Sequence, residues 1–160
     1  MSRGRGYPER IVCLTEETTE TLYLLGEDWR IVGISGFTVR PPIARKEKPR
    51  VSAFTSAKID RIIALQPDLV LGFSDLQADI AADLVRAGVE VHVFNHRSVA
   101  EILRTIRVLG GMVGCEDKTL ALVTKLETGL AHARERAAAL TTRPTVYFEE
   151  WTNRRSRRSA

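Results

Sequence analysis

The sequence predicts an α/β fold: a parallel sheet with helices on both faces, followed by one long helix. Three observations carry this. Apolar runs such as Ile11–Leu14 and Leu69–Leu71 are short and continuous, as strands covered on both faces require. Stretches with apolar residues three and four apart alternate with them, which argues for helical crossovers between parallel strands. Finally, Leu120, Val123, Leu126, Leu130, Ala133, Ala137 and Leu140 keep one apolar stripe over roughly two dozen residues, on the order of 35 Å of helix.

Taken in order, residues 1–9 are expected to be a disordered lead and residues 10–115 an α/β lobe. Residues 116–141 are expected as the long helix, 144–151 as a strand and 152–160 as a basic disordered tail. Ile11–Leu14 is the first strand. Thr15 caps the helix after it, Glu16 and Glu17 favour its positive end, and Gly26 stops it. Arg30–Ile34 is the second strand, and Ser35 to Lys48 a long loop with Pro41 and Pro42. Pro49–Phe54 also reads as loop. Ser56 is a good N-cap for a helix with Ile59, Ile62 and Ile63 inward and Asp60 in its first turn, ended by Pro67. A strand near Leu69–Phe73 follows, then a helix with Leu76, Ile80 and Leu84 inward. Val89–Phe94 is the next strand. Ser98 to Glu101 fits a capping box for a helix ending at Gly110-Gly111. Pro144 breaks the long helix, and Thr145–Phe148 reads as strand.

Composition excludes several classes. The hydrophobic share of 44% is globular rather than disordered. The net charge of +4 is matched by Arg154, Arg155, Arg157 and Arg158 in the last nine residues, so the body is neutral and no nucleic-acid face is expected. Cys13 and Cys115 have no metal-ligand spacing; they are expected to be a buried thiol and a free surface thiol. No apolar run approaches ~18 residues, and the opening MSRGRGYPER lacks the apolar core of a secretory signal. There is no G-x-S-x-G elbow, no phosphate loop ending in Lys-Ser/Thr, and no G-x-G-x-x-G after a strand. Glu16 and Glu17 are adjacent on a helix and point apart, which suits no acid–base pair.

In an open parallel sheet, ligands bind beyond the carboxyl ends of the strands. The residues there are Thr15, Glu16, Glu17 and Thr18; Gly36, Phe37 and Arg40; Phe73, Ser74 and Asp75; and Asn95 and His96. Phe54 and Thr55 are expected beside them. Without further information Phe37 and Phe54 read first as core aromatics. His92 reads as packed, His132 as solvated, and His96 as a loop histidine without a second metal ligand at suitable spacing.

The segment VSAFTSAKIDRIIALQPDLVLGF resembles the substrate-binding proteins of ABC importers for cobalamin and iron chelates. The likeness extends through RIVCLTEETTETLYLLG, RIVGISGFTVRPP and AGVEVHVFNHRSVAEILRTIRVLGGMVG, about residues 10 to 151, and is nearest to cobalamin binders. It implies capture rather than catalysis, with no cofactor beyond the transported ligand. The strand-end loops would form one wall of a cleft, with Phe54 where cobalamin binders carry Trp. Arg40 stands where Tyr is usual and would meet an anionic group. Asp60 would pair with arginines of a membrane permease. The long helix would be a spine between two lobes. An iron–siderophore binder is the neighbouring reading. A small cytoplasmic α/β enzyme domain with a phosphorylated ligand is the reading from another class. The likeness ends at TNRRSRRSA, so a copy truncated after its first lobe is expected, with its last strand free to self-associate. The family works in the periplasm or at the cell surface; a cytoplasmic location is left open.

Overall fold

A computed structural model describes residues 6–148. Five strands, β1 (Ile11–Cys13), β2 (Ile31–Ser35), β3 (Arg50–Ser52), β4 (Leu69–Phe73) and β5 (Val91–Phe94), form one sheet in the order β3-β2-β1-β4-β5. Every pairing is parallel. The helices are α1 (Glu16–Leu24), α2 (Ala44–Glu47), α3 (Ile59–Ala64), α4 (Ala78–Arg86), α5 (Val99–Met112) and α6 (Glu116–Ala138).

Side chains alternate along a strand, so each strand feeds two cores. Ile11, Cys13, Leu69 and Leu71 pack with Leu22 and Leu25 of the α1 region and Leu109 of α5. Val12, Leu14 and Val70 pack with Ile62 of α3 and Ile80 and Leu84 of α4. The sheet is therefore covered on both faces, as its apolar runs require. The order of strands reverses between β1 and β4, which opens a crevice at their carboxyl ends.

A polar cluster holds the opposite end of the sheet. Arg30 is buried and donates to Glu27 at 2.9 Å, to Val113 O at 3.1 Å and to Pro8 O. Lys118 Nζ donates to the same carboxylate at 2.7 Å. Burial pushes the Glu27 carboxyl up, but these two cations outweigh it and hold it below the ordinary carboxylate range.

The structure corrects several expectations. Pro49–Phe54 is not all loop: Arg50–Ser52 pairs with β2 as an edge strand. Ser56 caps nothing. Its carbonyl is taken by Ala53 N–H, and α3 starts at Ile59 after Lys58. Ile63 is exposed. Thr15 is the N-cap of α1, yet its hydroxyl donates to Glu17 Oε1 at 2.7 Å instead of capping. The loop from Ser35 contains α2. Leu76 is exposed, and Gln77 is buried in its stead. The capping box holds: Ser98 Oγ accepts from Glu101 N–H at 3.2 Å, and Glu101 reaches back to Arg97 N–H at 2.7 Å. The helix it opens does not stop at Gly110-Gly111 but runs to Met112. Gly110 is where Thr119 of α6 packs; a Cβ there would collide with Thr119 Oγ1 and stand 2.7 Å from its Cβ. Cys115 is buried rather than a surface thiol, and both cysteines are free. Burial pushes the Cys13 thiol up to about 11, so it stays protonated at neutral pH.

The described residues form two units, divided between Leu126 and Glu127. In the first, α6 buries Thr119 and Val123, while Leu120 is exposed. Val123 is buried as the stripe requires, but Thr119 takes the inward place expected of Leu120, because the small Thr119 fits against Gly110. The second unit contains the rest of α6, where residues 131–148 are exposed. Thr145–Phe148 is not a strand. Val146, Tyr147 and Phe148 are exposed, and without a neighbouring strand among the described residues there is no ladder to hold the segment. The remainder of that expected element, Glu149 to Trp151, and the Arg-rich tail lie outside the described residues.

One outcome follows from the Glu27 cluster. A carboxylate with a lowered folded pKa contributes stability that is present above its ordinary value near 4.5 and lost as pH falls through the folded value. Glu27→Gln should lose on the order of 3 kcal/mol at pH 7, because Arg30 stays buried without its counter-charge. Urea unfolding should show the gap to the parent protein narrowing below about pH 4.5. A gap that stays constant down to pH 3 would contradict the assignment.

Candidate functional site

At the crevice between β1 and β4 one side chain joins three segments. Gln77 is fully buried. Its Nε2 donates to Phe54 O at 2.9 Å and to Leu14 O at 3.3 Å, and its Oε1 accepts from Phe73 N–H at 2.9 Å. It ties the ends of β1 and β4 to the loop that carries Phe54 and Thr55. Sequence reasoning missed it, since a lone Gln beside Leu carries no periodic signal. Ser74 next to it has φ 60° and ψ 174°, a conformation that side chains disfavour by about 1–3 kcal/mol. It is held by Ser74 N–H donating to Phe94 O at 2.7 Å and by Leu76 N–H donating to its hydroxyl at 3.2 Å.

The other expected residues fall at the same end of the sheet. Thr15 and Thr18 are buried at the end of β1, and Glu16 and Glu17 are half-buried. Past β2, Gly36 N–H donates to Ser52 O at 2.7 Å. A Cβ on Gly36 would stand 3.1 Å from that oxygen, so the close approach of β2 and β3 favours glycine. Phe37 is 62% exposed, which removes its core reading. Arg45, another residue not expected, holds this loop by donating to Gly36 O at 3.1 Å and Thr38 O at 3.0 Å. Phe54 is half-buried and Thr55 exposed.

Past β4 and β5, Phe73 stacks on His96 with ring centroids 4.7 Å apart. Arg97 lies over the Phe73 ring at 5.2 Å and contacts Asp75 at 3.5 Å. His96 also shares a hydrogen bond of 3.2 Å with Thr105, and Asn95 is exposed. His92 packs edge-on to Phe94 at 4.4 Å; burial alone lowers its pKa. Glu17, Thr18 and His96 line one cavity of about 210 Å³ with Ile102 and Thr105. Arg40 pairs with Glu20 at 3.1 Å and Glu16 at 3.8 Å. Asp60 lies in the first turn of α3, exposed and without an ion pair among the described residues.

Among the described residues no three His, Cys, Asp or Glu side chains gather as a metal site, and none of their helices is long and apolar enough to cross a membrane. The face offers aromatic rings, hydroxyls and backbone groups.

The periplasmic binding protein family model matches residues 11–156. The chain belongs to this family. Its members capture substrates for transport and are not enzymes. The chain is 29% identical over 137 residues to an uncharacterized ABC transporter substrate-binding lipoprotein of Bacillus subtilis, covering 83% of this chain and 43% of that one. It is 26% identical over 151 residues to a cobalamin-binding protein of Halobacterium salinarum, covering 88% and 39%. Among solved structures, a periplasmic heme-binding protein from Roseiflexus sp. RS-1 in apo form matches with a TM-score of 0.77 at 27% identity, covering 85% and 52%. The chain spans less than half the length of these curated relatives.

Gln77→Leu keeps the volume but strands the Phe73 N–H and two carbonyls. An unpaired buried polar group costs about 1–3 kcal/mol. The variant should lose about 3 kcal/mol in chemical denaturation, by the same principle, and the Phe73 amide should exchange faster with solvent. Unchanged exchange at Phe73 would show that Gln77 does not hold the crevice.

Proposed function

We propose that this chain supplies a ligand-binding face of an ABC-importer substrate-binding protein and that its ligand is cobalamin or a related corrinoid. One observation carries the reading: Phe37, Phe54 and Phe73 stand at the carboxyl ends of β2, β3 and β4, with Phe37 exposed and the other two half-buried. Flat apolar rings held on rigid strand ends suit a large planar macrocycle. Thr15, Glu16, Glu17, Thr18, Gly36, Thr55, Ser74, Asp75, Asn95 and His96 would supply the polar contacts around them. The named cobalamin-binding relative favours a corrinoid. An iron chelate, haem included, is the second reading, favoured by the heme-binding structure of similar fold. The Glu16 and Glu20 carboxylates already neutralise Arg40, so its proposed role is to shape the rim. Asp60 is proposed as the permease contact, because a surface acid at a helix start meets a cationic partner without desolvating a buried pair. The corresponding site of action is the periplasm or the cell surface.

Absorption titration of the purified chain with cyanocobalamin, haemin and ferric citrate tests this. Cyanocobalamin should bind most tightly, and Phe54→Ala should weaken it about tenfold, near 1.4 kcal/mol. Asp60→Ala should leave affinity unchanged and reduce co-sedimentation with permease vesicles. Tightest binding of haemin would move the assignment to the second reading. Loss of ligand affinity in Asp60→Ala would refute the docking role.

A further inference from the structure

Beyond β3 the chain folds back along the sheet's edge. Ala53 N–H donates to Ser56 O at 2.7 Å, Lys58 N–H donates to Val51 O at 3.1 Å, and Ser52 pairs antiparallel with Ala57. This fold-back walls a cavity of about 410 Å³, whose polar side chains are those of Arg50, Ser52, Ser56 and Lys58. Two cations line it and no carboxylate does. Among the described residues, neither Arg50 nor Lys58 has an acidic partner. The Ser52 hydroxyl oxygen is buried and has no hydrogen-bond partner.

The two unpartnered cations share one remedy. Two like charges beside one cavity repel each other, and an oxyanion between them reverses the sign of that interaction. A guanidinium offers a planar fork to carboxylate or phosphate oxygens, and a lysine adds a point charge. The exposed Ser56 hydroxyl is a donor of the kind an oxyanion accepts. We propose that this cavity is an oxyanion site that takes a phosphate or carboxylate group. Arg40, the cation that the sequence singles out for an anion, is already matched by two acids, whereas Arg50 and Lys58 are not. The cavity lies on the loop that carries Phe54 and Thr55, so the site would anchor an anionic arm of a ligand seated on those residues. The inference rests on the proposed function only for which molecule carries that arm.

Backbone amide NMR of the full chain, titrated with inorganic phosphate and separately with citrate at constant ionic strength, tests it. At least one anion should give saturable shifts at Ala53, Ser56 and Lys58, and the stronger of the two identifies the group. The double variant R50Q/K58Q should weaken that anion at least tenfold while keeping the parent's spectral dispersion. No saturable shift in this loop with either anion would overturn the proposal. So would equal affinity in the double variant, or shifts spread evenly over the surface. A chain that fails to bind cyanocobalamin yet passes this titration would refute the corrinoid reading and leave the oxyanion site standing.

Discussion

The Gln77 side chain is the contact on which the ligand face depends. Strands β1 and β4 are neighbours, but their onward connections leave on opposite faces of the sheet, to α1 and to α4. That divergence creates the crevice, and it also leaves backbone groups at the strand ends without ladder partners. A single carboxamide satisfies both ends, since it carries a donor and an acceptor on one plane. Its second hydrogen on nitrogen reaches Phe54 O, which fixes the aromatic loop to the crevice. Apolar residues in its place would fill the volume and leave the polar groups stranded. Gly72 is part of the same arrangement: a Cβ there would stand 3.1 Å from Gln77 Oε1.

The two ends of the sheet are built for different tasks. At the amino ends, Arg30, Glu27 and Lys118 fasten the lead, the β2 entry and the α5–α6 junction in a network with short hydrogen bonds. At the carboxyl ends, Ser74 holds a disfavoured backbone, aromatic rings stay partly uncovered, and Arg97 sits exposed over Phe73. Strained residues and incompletely buried rings persist where the surrounding structure fixes them, which is the pattern of a binding surface carried by a rigid scaffold.

The sheet's central strands were legible because apolar runs bounded by turns report burial on both faces. The Ser98 capping box was legible because its hydrogen bonds are local. What was missed depends on partners distant in sequence. The three residues of β3 carry no periodic signal; only β2 makes them a strand. Ser56 has the chemistry of a cap, but the fold-back to Ala53 claims its carbonyl and delays α3 to Ile59. Leu76 was expected inward on hydrophobicity, whereas the 3-10 turn Asp75–Gln77 puts the residue with the needed hydrogen bonds inside. Thr145–Phe148 has β propensity without a neighbour, and propensity alone builds no ladder. Of the candidate site, the strand-end positions could be read from the order of elements; the Gln77 and Arg45 tethers and the Glu16–Arg40–Glu20 pairing could not.

The central claim is that ligand is held at the carboxyl ends of the strands, on the loops that Gln77 joins. Hydroxyl-radical footprinting of the chain with and without saturating cyanocobalamin tests it most directly. Protection should concentrate at Phe37, Phe54 and Phe73, with His96 at its margin, and Trp29 at the other end of the sheet should be unchanged. Protection centred on Trp29, or on the outer faces of α4 and α5 with the three rings unaffected, would contradict it.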